Sequence, residues 1–248
     1  KICIFVDGEN LRHSIGDLFP GFNRTDYLPK TDWAKFFDWI ATGVVGPDAD
    51  RIRTYWYTVQ NLDFCPYQLN SAKKKRDYVF LEKILLRDAT CAQSINSKTN
   101  ERDKQGVIDK LVDILLERRE EMLGRFNGWI DIQNTIARMN NSIEFRRAGS
   151  IRYDLFSKKL GSEKAVDVKL AVDLVKLKDI YDIAIIVSGD QDYSPAVDVI
   201  KDLGKRIINV SFLTSNGKLL PGGAKRLNQA TDWSLEIKYE DSKKYLGL

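Results

Sequence analysis

The sequence predicts an α/β protein built on a parallel sheet, and two strands of the same design are the main reason. Residues 2–6 and 183–187 are uninterrupted runs of apolar residues rich in Ile and Val. Such runs, without polar alternation, are typical of strands buried on both faces, as in parallel sheets. Segments compatible with helices separate the predicted strands along the chain, and this alternation is typical of the same fold class.

The sequence of the N-terminal part of the chain predicts a strand, then helices, then a second strand. After the first strand, residues 11–18 predict a short helix. Thr31 and Asp32 predict the cap of a helix over 33–40, where aromatic residues recur at helical spacing. Residues 51–59 are rich in aromatic and β-branched residues, which predicts the second strand.

A long helical section follows, from about 72 to 140. It is heavily charged, and its apolar positions, such as Val107, Leu111 and Leu115, lie three or four residues apart. This stretch is too long for an ordinary connection between strands, so we interpret it as a helical insertion in a single domain that spans 1–248. We expect the insertion either to cover a site on the sheet or to form the contact of a homodimer.

After the insertion the pattern returns to strands and helices. Residues 143–147 predict a third strand, and 163–178 predict a helix. The strand at 183–187 leads into a turn, after which Ser194 and Pro195 are typical of the N-cap and first turn of a helix that continues to Leu203.

Composition narrows the class of protein. With 248 residues, 43% hydrophobic and 30% charged, the chain is ordinary for a globular protein. No apolar stretch approaches the roughly 18 residues of a membrane span, and the chain enters a strand without an export signal, so we expect a cytoplasmic protein without membrane contact. Three scattered cysteines and one histidine favour neither a disulfide framework nor a zinc site. The chemistry must therefore rest mainly on carboxylates, hydroxyls, amides and Lys or Arg.

The formal charge of +4 and the pI near 8.8 are mildly basic. This permits a nucleic-acid partner without demanding one. The densest run of basic residues, 73–76, lies at the start of a predicted helix. A phosphate-binding patch and a solvated helix face explain this run equally well. The candidate nucleic-acid-binding residues are Lys73, Lys74, Lys75, Arg76 and Lys164.

Carboxylates follow two of the predicted strands directly. Asp7 ends the first, and Asp190 and Asp192 lie in the turn after the strand at 183–187. Since ligand sites of parallel sheets lie beyond the carboxyl ends of the strands, we expect the three side chains to form one acidic pocket. Crowded carboxylates repel one another unless a cation neutralises them, which favours a divalent metal site. The alternative is that each Asp only favours a turn or a helix start.

Two further aspartates lie on the helix predicted over 163–178. Asp167 shares a face with Leu170 and Leu174, which places it towards the core, where a carboxylate is costly unless it is paired or bound to metal. Asp173 points about 120° away, close to lysines at helical spacing. A surface ion pair and a role in the site are both open for Asp173.

Several motifs together resemble a known family. The segments 5–10, 163–173 and 187–195 are similar to the three signatures of NYN-domain proteins, in particular the LabA-like bacterial branch of the PIN-like nuclease superfamily. Segments 204–207 and 227–232 also resemble that branch. The resemblance covers roughly 1–60 and 143–237, and Ala165 stands where the family often carries Gly.

The resemblance implies a Rossmann-like (PIN-like) parallel sheet flanked by helices and a nuclease site that uses Mg²⁺ or Mn²⁺, usually on RNA. The acids that it implies as metal-binding and catalytic are Asp7, Asp167, Asp190 and Asp192. It implies Asn10 as a polar residue that positions metal or phosphate. The secondary candidates are Asp173 as an additional acid, and Ser188 and Ser194 as hydrogen-bonding partners of a bound water or phosphate.

Three functions remain to be compared with these observations. The first is a metal-dependent endoribonuclease acting on single-stranded or structured RNA. The second is a nucleic-acid-binding regulatory protein that keeps the fold and has little turnover. The third is a phosphatase of the haloacid-dehalogenase type, which also begins with a strand-end Asp but needs a second Asp two residues later, where this chain has Glu9.

Overall fold

A computed structural model describes residues 1–22 and 27–248, and these divide into two compact units. The first unit comprises Lys1–Gln60, Asp131–Gly149 and Ala165–Leu248, and the second comprises Asn61–Ile130 and Ser150–Lys164. The predicted single domain with an insertion at about 72–140 stays a prediction.

The strands and helices alternate along much of the chain. The strands are β1 (Ile2–Asp7), β2 (Arg51–Cys65), β3 (Ile143–Asp154), β4 (Lys159–Lys164), β5 (Ile183–Val187), β6 (Arg206–Leu213), β7 (Leu219–Leu220) and β8 (Trp233–Ile237). The helices are α1 (Gly8–Leu18), α2 (Trp33–Val45), α3 (Leu69–Lys75), α4 (Tyr78–Leu85), α5 (Ala89–Asn96), α6 (Glu101–Met139), α7 (Val166–Lys176), α8 (Ser194–Asp202), α9 (Ala224–Ala230) and α10 (Tyr239–Leu246).

The sheet is mostly parallel, which confirms the predicted fold class. Its strand order is β4-β3-β2-β1-β5-β6-β7, and β8 pairs with β6. The strand β1 runs parallel to β2 and β5, and β6 runs parallel to β5 and β8. Antiparallel pairing is found between β3 and β4 and between β6 and β7.

Burial on both faces explains why β1 lacks polar alternation. Ile2, Ile4 and Val6 pack into one hydrophobic cluster, to which α2 contributes Trp33, Phe36 and Phe37. Cys3 and Phe5 point to the other face, into a cluster that includes residues of α7 and α8. The prediction of a doubly buried strand is therefore confirmed, and the helices lie on both faces of the sheet.

The register brings the carboxyl ends of the central strands together. Asp7 of β1 is the register partner of Tyr57 in β2, and Val6 is the partner of Val187 in β5. Val187 in turn pairs with Val210 of β6. Residues that follow β1 and β5 therefore leave the sheet side by side, as the strand-end prediction requires.

Two of the element boundaries that differ from the sequence-based expectation lie beside the carboxylates. The helix predicted from residue 163 begins at Val166, because Glu163 and Lys164 pair with β3 as the end of β4. Ser194 was expected to be the N-cap of a helix but is its first residue. The reason is a 3₁₀ turn at Gln191–Tyr193, capped by the Asp190 side chain, which leads straight into α8.

The second unit is helical, with a small antiparallel β-sheet component. Its residues include α3, α4, α5, most of α6 and the β3–β4 pairing. A hydrophobic cluster centred on Leu85, Ile95, Val112 and Leu115 forms its core. The helix α6 is 39 residues long and ends in the first unit.

No helix in the described part of the chain is long and apolar enough to cross a membrane. The cytoplasmic location and the homodimer stay predictions.

Candidate functional site

Asp7 is fully buried at the point where β1 ends and α1 begins. Its Oδ1 accepts a hydrogen bond from the Asn10 backbone N at 3.0 Å, as an N-cap does, and its Oδ2 accepts one from Asn10 Nδ2 at 2.6 Å. Oδ2 also accepts from Ser188 Oγ at 2.9 Å and lies 3.3 Å from the Tyr193 hydroxyl. Burial raises the pKa of Asp7 to about 6, although the bonds from Asn10 and Ser188 oppose the rise.

A close backbone approach fixes the position of this carboxylate. A Cβ on Gly8 would lie 2.4 Å from the Tyr57 backbone O, so only glycine fits directly after Asp7. The first turn of α1 therefore lies tightly against β2, and the carboxylate at its N-terminus has little freedom to move.

Asp167 lies in the first turn of α7 and reaches the same place. Its Oδ1 accepts a hydrogen bond from the Tyr193 hydroxyl at 2.9 Å. Burial raises the pKa of Asp167, and the negative charges of Asp190 and Asp192 raise it further, while the bond from Tyr193 lowers it. Asp190 and Asp192 therefore lie close enough to Asp167 to affect its pKa, and Asp167 in turn helps to raise the pKa of Asp7.

The Tyr193 hydroxyl lies between two carboxylates but carries a single proton. It is within hydrogen-bond distance of both Asp7 and Asp167, and it can donate to one of them at a time. Burial, together with these two acids, raises the pKa of Tyr193, so its hydroxyl stays protonated. Tyr193 was missed as a functional residue from the sequence, where its only signal was its place inside the segment 187–195.

Asn10 and Ser188 connect the ends of β1 and β5. The Asn10 side chain donates from Nδ2 to Asp7 and accepts at Oδ1 from the Gly189 backbone N at 3.3 Å. Ser188 Oγ donates to Asp7 and accepts from the Asp190 backbone N at 3.1 Å. Both side chains therefore hold the Asp7 carboxylate and the turn after β5 in a fixed relation.

Asp190 and Asp192 lie in the turn after β5. The Asp190 carboxylate accepts from the Asp192 backbone N at 2.9 Å, so part of its role is to cap the 3₁₀ turn. Asp192 is exposed. The turn chemistry considered for these residues is thus present, together with their electrostatic effect on Asp167.

Asp173 lies in a different environment, as a fully buried member of an ion-pair network. It accepts from Arg146 Nη1 at 2.6 Å, from Lys169 Nζ at 2.9 Å and from the Tyr57 hydroxyl at 3.1 Å. The ion pair with a lysine at helical spacing, Lys169, is present, but its expected place on the surface is wrong, because Arg146 of β3 and Tyr57 of β2 also bond the buried Asp173. Burial alone would raise the pKa of Asp173, but the bonds from Lys169 and Arg146 hold it below its usual range.

The remaining predicted residues lie outside this carboxylate group. Ser194 is half-buried at the start of α8. The predicted basic residues, Lys73, Lys74, Lys75, Arg76 and Lys164, all lie in the second unit, whereas the acids lie in the first. Lys73 forms an ion pair with Asp113 there. Nucleic-acid contact by these residues stays a prediction.

A cavity of about 590 Å³ adjoins the site in the first unit. Its lining includes Asn10 and Asp190 of the site, and also Gln191, Lys225 and Arg226. The two basic residues were not predicted from the sequence, because they belong to none of the motifs or basic runs identified there.

Comparison with known proteins supports the family resemblance. The family model described as the NYN domain matches residues 96–232, more than half of the chain. This chain belongs to the NYN-domain family. The matched residues include Asp167, Asp190 and Asp192, while Asp7 and Asn10 lie before them.

Among solved structures, a protein of unknown function from Vibrio parahaemolyticus is similar, with 15% identity, a TM-score of 0.42, and coverage of 95% of this chain and 91% of that one. A search of curated proteins found no match. The NYN-domain assignment implies a nuclease-like fold of the PIN superfamily.

The carboxylates of this NYN domain are suitable ligands for a hard divalent cation, but they do not form a complete ligand set by themselves. In residues 1–22 and 27–248, no three or more His, Cys, Asp or Glu side chains are arranged to hold a metal ion. Mg²⁺, however, takes oxygen ligands and is commonly bound by one or two carboxylates, with waters and substrate phosphates as its other ligands. Asp7 and Asp167, which share one hydroxyl, are donors of this kind.

Proposed function

We propose that this NYN-domain protein is a metal-dependent endoribonuclease that hydrolyses RNA phosphodiester bonds with the help of Mg²⁺ or Mn²⁺. The observation that supports it is the meeting of Asp7 and Asp167 at one buried hydroxyl, at the carboxyl edge of a parallel sheet. Two carboxylates held this close repel each other, and a cation between them would remove that cost. The preference for RNA rests on the family resemblance.

The proposal gives each polar residue a distinct task. Asp7 and Asp167 would hold the ion, and Asp190 and Asp192 would add negative charge beside it. When bound, such an ion activates a water molecule and stabilises the charge that develops on the phosphate. Asn10 and Ser188 orient the Asp7 carboxylate through hydrogen bonds. The protonated Tyr193 hydroxyl donates to Asp167 and fixes its rotamer.

A second candidate is a nucleic-acid-binding regulator with little turnover. It is favoured by the state of Asp7: its Oδ2 is already surrounded by Asn10 Nδ2, Ser188 Oγ and the Tyr193 hydroxyl, so Oδ1, which accepts from the Asn10 backbone N, is the oxygen left for a metal ion.

The phosphatase alternative loses its support. Glu9, which stands in place of that family's second acid, binds Arg12 through both carboxylate oxygens, at 2.6 and 2.9 Å. These bonds hold the pKa of Glu9 at about 2, despite its burial, so it is a poor proton donor.

The two candidates are separated by a cleavage assay. Labelled single-stranded RNA, structured RNA and DNA of the same sequence are incubated with Mg²⁺, Mn²⁺ or EDTA. We expect metal-dependent internal cleavage of RNA, lost in Asp167→Asn and retained in the control Asp198→Asn, which makes the same change at an exposed position of α8. RNA binding without cleavage under all conditions would instead support the regulator.

A further inference from the structure

We propose that Lys225 and Arg226 form a phosphate-binding subsite that holds the RNA strand beside the carboxylates. The inference rests on the proposed function, because it names how that same site would receive its substrate. It starts from the cavity of about 590 Å³, a size typical of small-ligand sites, whose lining includes both Asp190 and the two basic residues.

Electrostatics require such cations near the site. Asp7 and Asp167 share the Tyr193 hydroxyl, and Asp190 and Asp192 lie at the turn that contains Tyr193, so the four acids form a concentration of negative charge. This charge repels the phosphates of a nucleic-acid strand. A metal ion would offset the repulsion at the reacting phosphate, and a cationic side chain beside the site would offset it at a neighbouring phosphate.

Close backbone packing places the basic residues at the cavity. A Cβ on Gly223 would lie 2.2 Å from the Gly189 backbone O, and a Cβ on Gly189 would lie 2.5 Å from Pro221 Cβ. The segment before α9 therefore lies directly against the turn after β5, with no room for side chains between them. Lys225 and Arg226, in the first turn of α9, follow this contact immediately.

Each of the two basic side chains has N–H groups that can donate hydrogen bonds to a phosphate. Arg226 Nη1 donates to Gln191 Oε1 at 2.6 Å, which orients the guanidinium at the cavity and leaves others of its five N–H donors for a ligand. Lys225 is exposed, and no carboxylate in the described part of the chain forms an ion pair with it. An unpaired ammonium beside an oriented guanidinium is a suitable receptor for a phosphodiester.

The test measures RNA binding without cleavage. Fluorescence anisotropy in EDTA gives the Kd of a labelled single-stranded RNA at several salt concentrations. For the double variant Lys225→Gln with Arg226→Gln, we expect roughly tenfold weaker binding and a slope of log K against log salt that is reduced by about 1.4, or 0.7 for each lost phosphate contact. Lys225→Arg alone keeps the charge and should keep the wild-type slope.

The control is Lys243→Gln, which removes an equally exposed lysine on α10 and should change neither Kd nor slope. A circular-dichroism melt confirms that each variant is folded. An unchanged Kd and slope in the double variant overturns the subsite, and so does a wild-type protein that fails to bind RNA in EDTA.

The outcomes for the subsite and for the proposed function remain distinguishable. A wild-type protein that binds RNA through Lys225 and Arg226 but never cleaves it supports the subsite and contradicts the nuclease. Metal-dependent cleavage with the same kcat/KM in wild type and in the double variant supports the nuclease and overturns the subsite.

Discussion

Among single residues, Asp7 shows most clearly that a buried carboxylate placed in the candidate site lowers the stability of the metal-free protein. Its pKa is raised from 3.8 to about 6, so the folded state holds its proton more tightly than the unfolded state does. Its contribution to stability is therefore greatest below the unfolded pKa and is lost as pH rises from 3.8 towards 6. A shift of this size costs roughly 3 kcal/mol at neutral pH when no cation is bound.

Replacing Asp7 with Asn should therefore abolish cleavage without destabilising the metal-free protein. The amide removes the buried charge and can still accept from the Asn10 backbone N, so we expect the Tm in EDTA at pH 7.5 to be unchanged or raised. Differential scanning calorimetry of wild type and variant measures this. A Tm lowered by several degrees would mean that the ionised carboxylate stabilises the fold.

Asp173 should behave in the opposite way. Asp173→Asn leaves Arg146, whose side chain is 18% exposed, with Glu144 but without its buried partner, so the cost should approach, without exceeding, the roughly 3–5 kcal/mol of a broken buried pair. Because the pKa of Asp173 is lowered, its stabilisation is present above the unfolded pKa and is lost as pH falls through the folded value.

Urea unfolding of wild type and Asp173→Asn at neutral and at strongly acidic pH measures this loss. The difference in unfolding free energy should be large at neutral pH and shrink in acid. Loss of cleavage with an unchanged unfolding free energy would instead return Asp173 to the site, as the family resemblance implies.

At the scale of helices and strands, the local sequence pattern predicts the strands that are buried on both faces. It fails where pairing with a neighbouring strand determines the secondary structure. The apolar run 183–187 coincides with β5, since a short run rich in Ile and Val suits a buried strand. The strand β4 has the polar sequence KLGSEK, without an apolar run, and only its pairing with β3 makes it a strand. The N-terminal limit of α7 was wrong for the same reason.

The same distinction, between local sequence pattern and contacts made only in the folded chain, applies to the residues of the site. Asp7, Asp190 and Asp192 could be identified from their places after apolar strands. Tyr193 could not, because its hydroxyl becomes important only where α7 brings Asp167 to it. Arg226 could not either, because its position depends on the contact between Gly189 and Gly223.

The start of α7 offers a direct test of backbone strain. Ala165, where the family often carries Gly, has a φ of +69°, in the left-handed region that is costly for any residue with a Cβ. Ala165→Gly should stabilise the protein by about 0.5–1 kcal/mol, since the relief of strain exceeds the entropy that glycine adds to the unfolded chain.

The matched control is Ala171→Gly in the interior of α7, which should destabilise by about 1 kcal/mol. Chemical denaturation measures both variants. A loss of stability in Ala165→Gly as large as that in the control would contradict the strained conformation.

For the whole molecule, basic charge occurs in both compact units, whereas the predicted metal-binding acids lie in the first. Lys73 already forms an ion pair with Asp113, so Lys74, Lys75 and Arg76 are the members of the basic run to test. Changing these three to Gln should weaken RNA binding and flatten its salt dependence if they contact phosphates. An unchanged salt slope would identify the run as a solvated helix face.

The central claim is that Asp7 and Asp167 hold a divalent cation used to hydrolyse RNA. Single-turnover cleavage of an end-labelled RNA, titrated with Mn²⁺, tests it most directly in wild type and in folded Asp7→Asn. We predict that the wild-type rate rises from zero in EDTA to a plateau with Mn²⁺, and that Asp7→Asn cleaves at no concentration. Wild-type cleavage in EDTA, or a wild-type rate in Asp7→Asn, would contradict the claim.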